Sequence, residues 1–258
     1  MNRHFSGAAK EVRCVLHAIP RLMIALAVLA VFAVGAGTMT AYAEDVSIGS
    51  YVTFGTYPQT AEGNDETPIE WLVLDCTGDK ALLLSRYGLD EQPYNTENTD
   101  MTWEQCTLRA WLNDDFFNRA FTSAEQAAIL LTDVDNSRSQ SFGSDWIRAY
   151  EGNNTQDKVF LLSYAESNRY LGVTRLQTSA EVQAAPTAYA IAQGAFASGI
   201  YKTVDGEAAG VWWLRSSSGR QYYASYVGGE ESLYFDYVNQ KNVCVRPALW
   251  VDLGSGIF

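Results

Sequence analysis

The chain is acidic and contains almost no histidine: its 258 residues carry a formal net charge of −12 and two imidazoles, His4 and His17. A surface of this charge repels phosphate backbones, so we expect no nucleic-acid partner. Because both histidines lie within the first 43 residues, the remainder cannot build a Ser-His-Asp or Cys-His catalytic site, and it lacks the commonest zinc ligand. We therefore expect neither a metal nor another cofactor.

Residues 1–43 have the pattern of a secretory signal peptide. Four basic residues precede an apolar run of 15 residues from Met23 to Gly37, and Ala41-Tyr42-Ala43 fits an A-x-A cleavage site. The run is shorter than the roughly 20 residues of a membrane span. An uncleaved anchor is the alternative, and it would be the only membrane contact.

Cleavage after the leader would leave residues 44–258, long enough for one domain with a real core. Loss of the leader would remove four basic residues and one acidic residue, so the net charge of the remainder would be −15. We expect this single domain to be extracellular or displayed on the cell surface.

The first elements of the domain are predicted to be strands. Apolar and polar residues alternate in residues 50–55, a spacing typical of a strand. Residues 69–75 and 80–85 are two apolar runs on either side of a Gly-containing turn, which predicts a β-hairpin.

Three capping-box patterns, in which a Ser or Thr is followed three residues later by Glu or Gln, predict helix starts at Thr102, Thr122 and Ser163. A further helix is predicted over residues 186–196, where Pro186 occupies a first-turn position that needs no backbone N–H.

Residues 133–156 are polar and irregular, which predicts a long surface segment. Its acids lack the order of a calcium loop, so we expect no metal there. Residues 157–163 then form an apolar run and are predicted to be a core strand. Cys76, Cys106 and Cys244 favour three buried thiols, with one disulfide and a free thiol as the alternative.

The last third of the chain is predicted to be a meander of short strands, because apolar β-rich runs between residues 210 and 251 are separated by turn-rich pieces. The order of strands, helices and strands predicts an α+β fold. Arg215 and Arg246 lie inside apolar runs, where an unpaired charge is costly. We expect both to be structural, paired with a carboxylate or bound to backbone carbonyls, with contact to a ligand as the alternative.

Tyrosines and polar residues of these last strands are the candidate ligand-binding surface. Tyrosine offers a large apolar ring and a polar tip at a low cost in conformational entropy, and binding surfaces are rich in it. The alternative is a half-buried sheet whose tyrosines pack on helices. The predicted ligand-binding residues are Arg220, Tyr222, Tyr223, Ser225, Tyr226, Tyr234, Asp236, Asn239, Lys241 and Asn242.

Several segments resemble an uncharacterised family of exported bacterial domains, domain of unknown function 6273: TWEQCTLRAWLN, DKVFLLS, PTAYAIAQGA, WWLRS and VRPALWV. The resemblance covers nearly all of residues 46–251. It implies a C-type-lectin-like fold, with a twisted antiparallel sheet, flanking helices and a C-terminal β-meander whose loops form a binding face. It also implies recognition without catalysis, and similarity to the variable proteins of diversity-generating retroelements.

The chain departs from related patterns in three ways. Ser-Ser-Gly follows WWLRS where the family has Pro-Gly, so we expect a different turn. The triplets of calcium-dependent sugar binding are missing. The cysteines do not match the pair of the formylglycine-generating enzymes that share the fold, so neither activity is implied.

We therefore expect an exported, non-enzymatic domain that recognises a protein or glycan. One alternative is a hydrolase with paired carboxylates, whose candidate acids have no diagnostic motif. A structural cell-surface module is the other. The candidate acids are Glu70, Asp75, Asp90, Asp145 and Glu166, the last better explained as a capping-box partner.

Overall fold

The computed structural model describes residues 46–143, 149–174, 182–229 and 232–258. The predicted leader lies outside these ranges. Within them, no helix is long and apolar enough to cross a membrane. The strands are β1 (Tyr51–Tyr57), β2 (Thr67–Thr77), β3 (Lys80–Ser85), β4 (Asp90–Glu91), β5 (Thr132–Val134), β6 (Thr155–Asp157), β7 (Ala197–Lys202), β8 (Ala208–Gly210), β9 (Trp212–Ser218), β10 (Arg220–Val227), β11 (Leu233–Tyr237), β12 (Cys244–Val245) and β13 (Ala248–Asp252).

The helices are short and lie between the two groups of strands. A π-helical turn at Leu112–Phe116 joins the first two α-helices of the described chain. 3-10 turns occur at Trp103–Gln105, Arg138–Gln140 and Leu253–Ser255. The helices are α1 (Thr107–Trp111), α2 (Phe117–Ala120), α3 (Ser123–Ala128), α4 (Tyr164–Leu171) and α5 (Ala188–Gln193).

The first sheet has four antiparallel strands in the order β1-β2-β3-β13. It confirms the predicted first strand and the predicted hairpin of β2 and β3. Val52, Phe54, Ile69 and Trp71 alternate inward along β1 and β2 and are buried. Because β13 pairs with β3, the C-terminal end of the chain is fixed beside the hairpin.

The second sheet has five strands in the order β11-β10-β9-β12-β4. β12 runs parallel to β9, and the other neighbouring strands are antiparallel. β9 is buried on both faces, because Trp212 and Trp213 point to opposite sides and both lie in the core. β11 pairs only with β10 in this sheet and forms its edge. Helices and mostly antiparallel sheets together confirm the α+β fold.

Two of the three predicted capping boxes are confirmed. The Thr122 hydroxyl accepts from the backbone N–H of Glu125 at the start of α3, and the Glu125 side chain returns to the N–H of Thr122. Ser163 and Glu166 make the same reciprocal pair at the start of α4. Both helices therefore begin where the sequence places them.

The other two helix starts differ from the prediction. Thr102 caps nothing: Trp103–Gln105 is a 3-10 turn without a side-chain cap, and α1 follows it with Cys106 as its cap residue. The predicted helix over 186–196 is shorter, because Thr187 caps α5 by accepting from the N–H of Ala190 at 3.0 Å.

Residues 157–163, predicted as one strand, do not form one. β6 ends at Asp157, and Phe160 makes an isolated bridge to Ala248 on β13. The run is apolar because Val159 to Leu162 are buried in the core. A short apolar run indicates burial without fixing the backbone conformation, which explains the error.

Two of the three cysteines fulfil the expectation of buried thiols. Cys106 and Cys244 are buried and free, and burial raises the pKa of both thiols to about 12. They are therefore protonated and unreactive at neutral pH. Cys76, on β2, is half-buried and disulfide-bonded, so for this residue the expectation of a buried thiol is wrong.

Candidate functional site

The candidate surface begins at the turn between β9 and β10. Gly219 has a φ of +77°, which L side chains rarely adopt, and it lets Ser218 and Arg220 pair across the turn. The Ser-Ser-Gly sequence therefore extends β9 to Ser218 before the chain reverses.

Six aromatic side chains on β10 and β11 form what we call the aromatic ribbon. The three on the edge strand β11 are exposed, at 40%, 37% and 43% for Tyr234, Phe235 and Tyr237. The three on β10 are half-buried. The members of the ribbon are Tyr222, Tyr223, Tyr226, Tyr234, Phe235 and Tyr237.

The ribbon has two faces, which differs from the single exposed face expected from sequence. Tyr223 lies opposite Tyr237, with ring centroids 4.9 Å apart, and its ring is 5.5 Å from that of Phe235. Tyr226 lies opposite Tyr234, three positions along and therefore on the other face, with the centroids 5.7 Å apart. Period-two alternation divides the aromatic residues between the faces.

The face that carries Tyr226 packs against the core, whereas on the face that carries Tyr223 the rings pack against other rings of the ribbon. Tyr226 meets Trp213 of β9 edge to face, with centroids 6.0 Å apart. Tyr223, Phe235 and Tyr237 contact one another instead. This second face, which we call the outer face, is thus the better candidate for contact with a ligand.

Most of the polar residues assigned to the surface are accessible. Arg220, Asn239, Lys241 and Asn242 are exposed, and Asp236 is half-buried. Asn242 has a φ of 73°, a conformation that asparagine tolerates better than most residues, and its N–H donates to Glu91 at 2.9 Å. These residues supply accessible hydrogen-bonding groups in the same C-terminal segment as the ribbon.

Ser225 does not belong on the surface. It is fully buried on β10, between β9 and β11, and its hydroxyl has no hydrogen-bond partner among the described residues. Its cross-strand neighbour is Phe235. The structure therefore places Ser225 in the interior, away from the accessible candidate surface.

Arg215, on β9, has the structural role expected for it. Its side chain is buried and forms a two-pronged ion pair with Glu166 in the first turn of α4, with Nη2 2.9 Å from Oε1. It also donates to the carbonyl of Asp135 and to the amide oxygen of Asn136. Both residues belong to the 133–156 segment, which Arg215 therefore anchors to the core.

Arg246 lies between β12 and β13 and is equally buried. Nε donates to the carbonyl of Ser85 at 2.8 Å, and Nη1 donates to the carbonyl of Val182 at 3.0 Å. The guanidinium lies over the ring of Trp212, 4.9 Å from its centroid. Arg246 therefore binds backbone carbonyls, which is one of the two structural roles expected for it. No carboxylate among the described residues pairs with it.

The comparisons with known proteins identify the family. A family model described as a domain of unknown function, DUF6273, matches residues 78–253. The chain belongs to the DUF6273 family. No curated protein and no solved structure matches it. The matched range includes the aromatic ribbon and both buried arginines, whereas β1 and β2 precede it.

The carboxylates considered for hydrolysis bind different partners in this DUF6273 chain. Asp145 lies outside the described residues. No two of the other four share a hydrogen-bond partner within the described ranges, and no cluster of three or more metal-ligating side chains occurs in those ranges. Their partners are Arg86 for Glu70, Tyr170 for Asp75, Tyr57 for Asp90 and Arg215 for Glu166.

One buried polar pair had no counterpart in the sequence reasoning. The Tyr57 hydroxyl donates to Asp90 at 2.5 Å, and the Arg119 guanidinium lies 4.9 Å from the centre of the Tyr57 ring. Burial raises the pKa of both Asp90 and Tyr57. The two residues are far apart in the chain and carry no motif, and only the tertiary fold brings β1 of the first sheet and β4 of the second into contact here.

Proposed function

We propose that this chain is an exported recognition domain that binds a protein or a glycan through the outer face of the aromatic ribbon. The observation that supports this most strongly is the exposure of Phe235 and Tyr237 on an edge strand, on the same face as Tyr223. Single exposed apolar residues are normal, but a contiguous aromatic patch surrounded by polar residues is typical of interaction sites.

The mutual contacts of the rings support binding by a preformed surface. Tyr222 stacks on Tyr237 with 5.9 Å between centroids and 10° between planes, and Tyr223 meets Tyr237 nearly at right angles. Rings that already restrain one another lose little conformational freedom when a ligand covers them. Their hydroxyls, with Arg220 and Asn239 nearby in the chain, supply adaptable hydrogen bonds.

The proposal includes a C-type-lectin-like topology and export. The topology is supported by β1 and β13 lying in one sheet and by the accessible C-terminal strands. Export is supported by the basic, apolar and A-x-A pattern of residues 1–43.

The test removes the outer face without touching the core. The variant Y223S/F235S/Y237S and a control L131S/I191S/I200S, which replaces exposed apolar residues elsewhere, are compared with the wild type on a glycan array and on intact bacterial cells. We expect the ribbon variant to lose about tenfold or more in affinity, and the control to bind normally. Equal binding by the ribbon variant and the wild type would refute the assigned surface.

The likeness to variable proteins of retroelements is also a proposal, and it makes a positional prediction. Sequencing the locus across related strains should show substitutions at Arg220, Tyr237 and Lys241, which are not buried. Ser218 and Ala224, which are buried in the same segment, should stay constant. Uniform sequence across strains, or variation at buried and exposed positions alike, would remove the diversification.

A further inference from the structure

A cleft of about 480 Å³ lies on another part of the molecule, with Arg246 in its wall. Segments distant in the chain form it: the start of β1, the middle of β2, the end of β3, the end of α4 and the loop between β7 and β8. None of the aromatic ribbon residues lines it. Its volume is within the range of small-molecule sites, about 300–1,000 Å³.

Arg246 brings a buried positive charge to this cleft. It is 2% exposed, has no carboxylate partner among the described residues, and uses only Nε and Nη1 for its backbone bonds. Nη2 makes no hydrogen bond to any described residue. Burying a cation without a counter-ion is costly, and a bound anion would offset that cost. Burial lowers the pKa of Arg246 to about 10, so it stays a cation at neutral pH.

Gln183 adds an acceptor beside that cation. It follows Val182, whose carbonyl binds Arg246, and it also lines the cleft. Gln183 is buried, and its side-chain nitrogen donates to the carbonyl of Gly228 at 3.4 Å. That bond orients its Oε1, which has no hydrogen-bond partner among the described residues. A buried acceptor without a donor is a second unsatisfied group at the same site.

The remaining wall combines apolar side chains with tyrosines, a threonine and charged groups. Leu72, Leu74 and Leu171 line it together with the exposed Val204. At the mouth, Arg86 is already neutralised by Glu70 at 2.9 Å and Asp205 at 2.7 Å. Among the described residues that line this cleft, Arg246 is therefore the cation left for an anionic ligand.

We propose that the cleft binds a small carboxylate with an apolar side chain, its carboxylate on Arg246, a neighbouring N–H donor on the Gln183 oxygen, and its side chain against the leucines. A guanidinium favours carboxylates because its N–H groups form a planar fork that matches the two oxygens. An N-acylated amino acid and the carboxyl terminus of a peptide present the same chemistry. The site is independent of the aromatic ribbon.

The first test compares acids with their amides. N-acetyl-leucine and N-acetyl-phenylalanine are titrated into the purified chain by NMR, beside N-acetyl-leucinamide and N-acetyl-phenylalaninamide. We expect the acids to bind with dissociation constants on the order of 1 mM or tighter, and the amides at least about tenfold more weakly. Equal binding of acid and amide, or no binding of either acid, would overturn the proposal.

Two variants locate the binding without relying on a core substitution alone. V204W places a ring at the mouth, and L131W is its control, since Val204 and Leu131 are 60% and 59% exposed. We expect V204W to weaken the acids about tenfold, whereas L131W binds as the wild type does. R246K keeps the charge but loses the fork, and should weaken the acids similarly. Unchanged affinity in V204W would place binding elsewhere.

The source of the carboxylate is resolved by a pentapeptide ending in leucine and its C-terminal amide. Binding of the free pentapeptide at least as tightly as N-acetyl-leucine indicates a peptide terminus, whereas binding of N-acetyl-leucine alone indicates a small acid. The Y223S/F235S/Y237S variant should bind the acids unchanged. Its failure on cells would thus not count against the cleft, and loss of acid binding in that variant would contradict the separation of the two sites.

Discussion

Arg215 and Arg246 are both 2% exposed, but the chain surrounds them differently. Arg215 pairs with Glu166 and binds the 133–156 segment. Arg246 binds two backbone carbonyls and meets no carboxylate in the described part of the chain. The first arginine is satisfied within the protein, whereas the second keeps donor capacity in a cleft.

The difference shows that burial alone does not assign a role to an arginine. Both residues stand in apolar runs and gave the same sequence signal. What separates them is whether another element delivers a carboxylate: the capping box of α4 places Glu166 against Arg215, and no helix within the described ranges does so for Arg246. An arginine that must be buried for structure alone would be more stable with such a partner.

The largest effect should follow from R215M. Removing the cation leaves Glu166 without its charged partner and frees the carbonyl of Asp135, so we expect the free energy of unfolding to fall by about 3–5 kcal/mol in urea denaturation. E166Q tests the same pair from the other side and should also destabilise. A loss no larger than that of a surface substitution would show that the pair is not structural.

R246M should cost less, about 1–3 kcal/mol, because two carbonyls lose a donor while the burial of an uncompensated charge is relieved. The same urea denaturation measures it. If R246M is as destabilising as R215M, Arg246 has a counter-ion that this account does not include.

The alkaline pH dependence should distinguish the wild type from R246M. Burial on folding lowers the pKa of Arg246 from its ordinary value to about 10, so above that pH the unfolded state binds more protons than the folded state. Stability of the wild type relative to R246M should therefore rise with pH there, by about 1 kcal/mol between pH 9.5 and 11. If the stability of the wild type relative to R246M stays flat or falls over this pH range, folding does not lower the pKa of Arg246.

The smallest effect should come from D205N. Asp205 binds Arg86 at 2.7 Å, but its side chain is half exposed, and Arg86 keeps Glu70. Exposed pairs contribute about 0–1 kcal/mol, so we expect a loss below about 0.5 kcal/mol. A larger loss would show that exposure is a poor guide to the strength of the arginine pairs.

The elements predicted well were those with local causes. The β2–β3 hairpin followed from two apolar runs around a turn, and α3 and α4 followed from complete capping boxes. Thr102 begins the same sequence pattern, but a 3-10 turn forms there in place of a helix start. The neighbouring Trp103 is buried, and its indole N–H donates to Asp157, so a tertiary contact accompanies that turn.

The parts of the binding surfaces that could not be predicted depend on pairing between distant segments. Nine of the ten candidate residues are exposed or half-buried, but Ser225 is buried. The division of the ribbon into two faces required the register of Tyr223 with Tyr237. Gln183 carried no local signal, because only the closed fold brings it beside Arg246.

We propose that Arg246 binds a ligand, whereas Arg215 stabilises the fold. The most direct test observes both guanidinium groups in one experiment. In ¹⁵N NMR spectra of the arginine side chains, the Nε–H signals of both residues are followed while N-acetyl-leucine is added. We expect a saturable shift of the Arg246 signal and an unchanged Arg215 signal. No shift at Arg246, or equal shifts at both residues, would contradict it.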